Sequence, residues 1–232
     1  MPLRPRNALL GAAACVVLLA LVWVAAFHSG FFRHADQSAF LQFYDLQSHN
    51  GIAWVARHLV RLFEPNPYVY LALVPLVIAL VRGRPRVVLA IGAIILGANA
   101  STELLKHIVA APRPGSVFHG FSPLPPASWP SGHSTAVMSL VLASVLAVPA
   151  RLRPAAAALG ASLAIAVGYS VVARGLHYPS DVLGWFLMAT PWTLMVVAGL
   201  LAAERRWPLS REGTVPVSMR AVLGAPGAVV LT

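Results

Sequence analysis

The sequence predicts an all-α fold: a polytopic membrane protein built as a bundle of six transmembrane helices. Three observations predict it. The 232 residues are 58% hydrophobic and only 10% charged, with a mean hydropathy of +0.75, whereas a soluble domain carries about 25% charged residues. The apolar residues fall in runs near the length of about 20 that crosses a bilayer. The basic residues gather in short connections between those runs, where they set topology. Residues 1–203 therefore form one integral membrane domain, and 204–232 a cytoplasmic tail with little expected order. The net charge of +10 needs no nucleic-acid partner, because the loop arginines account for it. Cys15 is the single cysteine; it can form no intrachain disulfide and is silent on redox compartment.

Arg4 and Arg6 precede a charge-free run from Ala8 to Phe27, the first span. A cleaved signal peptide competes with this, but signal cores are usually about 7–15 residues, and an uncleaved helix fits better. His28 to Asn66 is a mixed connection in which Ile52, Val55, Leu59 and Leu62 recur at helical spacing. That pattern suits a helix lying in the interface or packed over the bundle. Tyr68–Val81 is the second span, stopped by Arg82, Arg84 and Arg86, and Val87–Leu105 is the third. Ser134–Val148 is the fourth, entered through Pro130-Ser131-Gly132-His133. Ala155–Ala173 is the fifth, and Val182–Ala202 the sixth, with Pro191 as a kink.

Six spans leave both termini on one side. That side collects eleven of the 17 basic residues: Arg4, Arg6, Arg82, Arg84, Arg86, Arg151, Arg153, Arg205, Arg206, Arg211 and Arg220. Arg33, Arg57, Arg61, Lys106, Arg113 and Arg174 fall on the other. Excess positive charge marks the cytoplasm, so the termini are expected there, in a multi-pass protein of the cell (plasma or inner) membrane. Three polar clusters then share the extracytoplasmic face.

The first cluster is Lys106 and Arg113, the second between two prolines. Two cations aimed at one point suit a phosphate, onto which arginine can fork; the plainer alternative is snorkelling to the interface. The second is Pro130-Ser131-Gly132-His133, the pattern of a helix start. Ser131 suits an N-cap, Gly132 admits a ligand to the backbone, and helix N-termini bind anions. His133 beside such an anion could donate a proton; ordinary capping with an incidental histidine is the alternative. The third is His177 with Asp181. Pro179 suits the first turn of the sixth span and disfavours helix at Tyr178. A carboxylate there can hold one imidazole nitrogen and leave the other as a nucleophile; an interfacial pair without chemistry is the alternative. Taken jointly, the clusters supply what phosphoryl transfer through histidine requires: nucleophile, orienting carboxylate, acid and positive charge.

Lys106-x6-Arg113-Pro114, then Pro130-Ser131-Gly132-His133, then Ser170 with His177-x3-Asp181 resembles the type 2 phosphatidic acid phosphatase superfamily. The motifs cover Lys106 to Asp181, and their order and spacing agree. The resemblance implies metal-independent dephosphorylation, with no cofactor, of a lipid phosphate or polyprenyl pyrophosphate. It makes His177 the attacking nucleophile, Asp181 its orienting partner and His133 the acid and then the base. Lys106, Arg113, Ser131, the Gly132 N–H and a cation near Ser170 become the phosphate ligands. The family's arginine directly after that serine is absent here: position 171 is Val171. Arg174 lies three positions on and shares a helical face with it, so Arg174 is expected to take over.

Two other functions remain open on the sequence. A membrane phosphotransferase would pass the same phosphoryl group to an acceptor other than water. A non-catalytic lipid- or anion-binding membrane protein would need neither the acid nor the oriented nucleophile. Glu103, one turn before Lys106, is expected to pair with it rather than act in catalysis. The lipid itself is not specified by these motifs.

Overall fold

The computed structural model describes residues 4–109, 129 and 131–208, apart from the side chain of Gln47. Arg113, His119 and the tail beyond 208 lie outside the described residues.

The described residues form eight α-helices and no strand: α1 (Pro5–His28), α2 (Gly30–Asp45), α3 (Asn50–Leu62), α4 (Pro65–Val81), α5 (Pro85–Ile108), α6 (Gly132–Ala147), α7 (Arg153–Ala173) and α8 (Pro179–Arg206). Proline opens α1, α4, α5, α7 and α8 within the first two positions, where its missing N–H costs nothing and its φ is already helical. The six apolar runs of the sequence all become helix.

α1, α5, α8 and the segment Ala150–Ala173 are each long and apolar enough to cross a membrane. α3 and α4 pass the same test together but bend by 67° at their junction. α6 has 16 residues and rises roughly 24 Å at 1.5 Å per residue, less than a hydrocarbon layer of about 30 Å. Its burial explains the shortness. Nine of its residues, including Ser134, Thr135, Val137, Ser139 and Ala143, are buried around the whole circumference, the mark of a helix enclosed by others. The outer helices show the reverse pattern. Leu10, Val17 and Leu21 of α1 and Leu89 and Leu96 of α5 are exposed, as surfaces facing lipid are.

Polar contacts and small residues hold the bundle where lipid removes the hydrophobic drive between helices. Asn99 of α5 donates to the Tyr68 hydroxyl at 3.1 Å and to Ser139 Oγ at 3.3 Å, and Tyr68 meets Ser139 at 3.0 Å. Thr102 and Thr135 pair at 2.9 Å between α5 and α6. Gly97 packs under the Trp192 ring of α8, and Gly160 of α7 against Val141 of α6. The chain is thus a multi-pass helical membrane protein.

One element departs from expectation. The mixed connection after the first span contains α2, a full helix of 16 residues. Arg33, His34, Asp36, Gln37 and Asp45 interrupt its apolar positions, so no sustained period marks it. Asp36 and Phe40 are its buried residues, and they pack on the turn between α7 and α8.

Candidate active site

Three helix ends meet around the first turn of α6. The last turn of α5 brings Lys106, whose Nζ donates to Glu103 Oε1 at 2.6 Å. This is the pairing expected one turn apart. The Lys106 ammonium also reaches α6: a Cβ added to Gly132 would stand 2.9 Å from Nζ and 3.2 Å from Glu103 Oε1. A side chain at 132 would therefore displace the Lys106 ammonium; backbone strain is not what calls for glycine here.

Ser131 occupies the N-cap of α6 with extended backbone, φ −69° and ψ 124°. Its hydroxyl makes no capping bond. It is 0% exposed and has no hydrogen-bond partner among the described residues. A buried hydroxyl without a partner costs free energy, and at a helix N-terminus the group that satisfies it best is an anion.

His133 follows in the same turn. It lies within electrostatic range of His177, Glu64, Lys106 and Arg174. The α3–α4 junction, the end of α5, the start of α6 and the end of α7 thus send charged or titratable groups toward one imidazole.

α7 ends in a Schellman motif. Leu176 N–H donates to Val171 O at 3.0 Å and Gly175 N–H to Val172 O at 2.8 Å, with Gly175 in the left-handed region at φ +69°. The chain then reverses through His177 into α8. Tyr178 is the N-cap and Pro179 the first helical residue, as the sequence predicts. Asp181 is 0% exposed. Its Oδ2 accepts the Tyr178 N–H at 2.9 Å and lies 3.5 Å from His177 Nδ1. The second distance is too long for a hydrogen bond, and Nδ1 is buried without one among the described residues. Such contacts commonly tighten when substrate binds. Since Nδ1 faces Asp181, Nε2 is the ring nitrogen left for chemistry.

Val171 is 0% exposed and packs in an apolar cluster with Phe40, Val137 and Tyr178. The position directly after Ser170 therefore belongs to the core. Arg174, at the C-cap of α7, is only partly buried and acts on His133, one turn from Ser170.

Lys106, Gly132, His133, Arg174, His177 and Asp181 are thus brought to one end of the bundle, with Ser131 beside them. Arg113 lies outside the described residues. Glu64 is a member that the sequence did not suggest: it is the N-cap of α4, and only the α3–α4 bend carries it toward His133. A cavity of about 460 Å³ lies between α1 and the last turns of α5. It is bounded by Val16, Leu19 and Trp23 of α1, by Leu105 and Ile108 of α5, and by Trp129.

A family model described as the PAP2 superfamily matches residues 86–205, more than half of the chain. No protein of curated function matches. Among solved structures the chain is similar to a transmembrane PAP2-type phosphatidylglycerolphosphate phosphatase from Bacillus subtilis. The identity is 17% and the TM-score 0.64, over 86% of this chain and 98% of that one. At that identity the likeness speaks for the fold, while the family match spans the residues from the last basic loop before α5 to the end of α8. The chain belongs to the PAP2 superfamily.

Proposed function

We propose that the protein is an integral membrane lipid phosphatase that hydrolyses a lipid phosphate or pyrophosphate through a phosphohistidine. His177 Nε2 attacks phosphorus while Asp181 holds the Nδ1 side of the ring. As the N–P bond forms, the P–O bond to the lipid breaks, and His133 delivers its proton to the leaving oxygen. His133, now neutral, takes a proton from water; the water oxygen attacks phosphorus, the N–P bond breaks, and inorganic phosphate leaves. Lys106, Arg113 and Arg174 balance the charge on the transferring oxygens, and the Ser131 hydroxyl and Gly132 N–H donate to them. With that much fixed positive charge the reaction needs no metal.

The observation that carries this is the convergence on the first turn of α6. A cation stands against a glycine, a buried hydroxyl lacks a partner among the described residues, and His133 feels both Arg174 and His177. The apolar cavity beside Leu105, one residue from Lys106, suits a lipid tail. The relative from Bacillus subtilis is described as acting on a phosphatidylglycerolphosphate, which is consistent with a lipid substrate. In the topology that goes with this function, α4 and α6 also cross, making six crossings, with cytoplasmic termini and an extracytoplasmic site in the plasma or inner membrane. Residues 1–203 are the catalytic domain and 204–232 a cytoplasmic tail.

The test is phosphate release by purified protein from a panel of lipid phosphates and pyrophosphates, beside His177→Ala. Release from at least one lipid, abolished in His177→Ala, is expected. Full activity in His177→Ala would overturn the mechanism.

A further inference from the structure

α2 touches the nucleophile's turn at three points, all from one side. Asp36, Phe40 and Tyr44 are spaced by four residues and so share a helical face. The Asp36 carboxylate, nine-tenths buried, accepts the Ser180 N–H at 2.9 Å through Oδ1 and the Ser180 hydroxyl at 2.7 Å through Oδ2. The Phe40 ring packs on the Tyr178 ring with centroids 5.0 Å apart. The Tyr44 ring covers Gly175, where an added Cβ would fall 2.8 Å from Cε2. Residues 175, 178 and 180 enclose His177 and immediately precede Asp181.

We propose that this face of α2 is a brace that positions His177 for attack, with Asp36 as its anchoring residue. This rests on the assignment of His177 as nucleophile. Its physical basis is the division of labour at the start of α8. The first N–H groups of a helix lack partners within it. Asp181 satisfies one, that of Tyr178, and is also the carboxylate facing the imidazole. Asp36 satisfies the next, that of Ser180, from outside the helix. Its negative charge also lies at the positive end of the α8 dipole. The N-terminal turn of α8 is thereby tied at two carboxylates, and only one of them must also serve the histidine. Gly175 gives the opposite end of the turn its left-handed bend, and the Tyr44 ring closes over it. No phosphate ligand belongs to α2, so the brace acts on the geometry of attack and not on phosphate binding.

The test uses full-length protein in lipid nanodiscs with Asp36→Ala and Asp36→Asn, and two readouts beside the inhibition constant for inorganic phosphate. One is amide hydrogen exchange over residues 175–182. The other is the pre-steady-state burst of phosphoenzyme, whose rate reports on the chemical step. Asp36→Ala is expected to speed exchange across this segment. It is expected to slow the burst by about 10²-fold, the scale of misplacing a reacting group by about 1 Å, at an unchanged inhibition constant for inorganic phosphate. Asp36→Asn keeps an acceptor and should fall between wild type and Asp36→Ala. Unchanged exchange in Asp36→Ala would overturn the brace. So would faster exchange with an unchanged burst rate. A wild type that forms no phosphoenzyme would instead count against the lipid phosphatase assignment, and exchange alone would then decide whether α2 holds the turn.

Discussion

Gly132→Ala is the smallest change that reaches the centre of this site. The added methyl would stand 2.9 Å from Lys106 Nζ, while ordinary contact begins at 3.4 Å. The obstacle is the end of a flexible side chain, so Lys106 retreats by about half an ångström and the fold does not pay. Gly132 is not among the glycines with positive φ, and alanine suits a helix better than glycine, so the melting temperature should hold or rise slightly. Function is another matter. If the ammonium-to-phosphate-oxygen distance grows from about 2.8 to about 3.3 Å at an effective dielectric of about 20, roughly 0.9 kcal/mol of attraction is lost, or about fivefold in rate. If the methyl also blocks the approach of an oxygen to the first-turn N–H, the loss reaches about 10²-fold, the usual worth of one oxyanion donor. Phosphate release from a lipid phosphate in detergent micelles, with kcat/KM compared at matched thermal stability, separates these cases. A fivefold loss identifies lysine displacement alone, and a hundredfold loss adds blockage of the amide. Gly132→Ala at the full wild-type rate would refute the seating of phosphate at the N-terminus of α6.

Other substitutions probe neighbouring parts of the argument. Ser131→Ala removes a hydroxyl that caps nothing, so thermal stability should be unchanged while the inhibition constant for inorganic phosphate weakens by about 10-fold or more, the range for hydrogen bonds to charged groups. Arg174→Ala should lower kcat/KM by about 10²-fold, with Arg174→Lys restoring part of it; full activity would remove Arg174 from the phosphate ligands. Gly97→Ala presses a methyl to 2.5 Å from the rigid Trp192 ring and should cost about 1–3 kcal/mol of stability, read as a lower unfolding midpoint, while turnover per folded molecule stays at the wild-type value.

How far sequence alone reaches depends on the kind of signal each residue carries. The apolar runs and the prolines that open them are local, and they became helices near the expected boundaries. The Tyr178–Asp181 turn was readable for the same reason, since Pro179 constrains both itself and the residue before it. The expectation that Arg174 stands in for an arginine at 171 rests on helical spacing and belongs to the proposal; the burial of Val171 gives the physical reason position 171 itself is not charged. α2 was missed because its polar residues break the period, and its purpose is visible only from what Asp36, Phe40 and Tyr44 touch. Glu64 was missed because its approach to His133 depends on the bend between α3 and α4, which no local pattern encodes. The N-cap position of Ser131 was readable, but the absence of its capping bond was not, and the hydroxyl is left without a partner among the described residues.

The central claim is that one phosphorus atom sits between His177 and His133, so that phosphate passes through His177. The most direct measurement is rapid quenching of the purified protein with a ³²P-labelled lipid phosphate, followed by identification of the labelled peptide. An acid-labile, base-stable phosphoryl group on His177, formed at least as fast as phosphate is released and absent from His177→Ala, is the predicted result. Turnover without any labelled protein, or label carried on a residue other than His177, would contradict it.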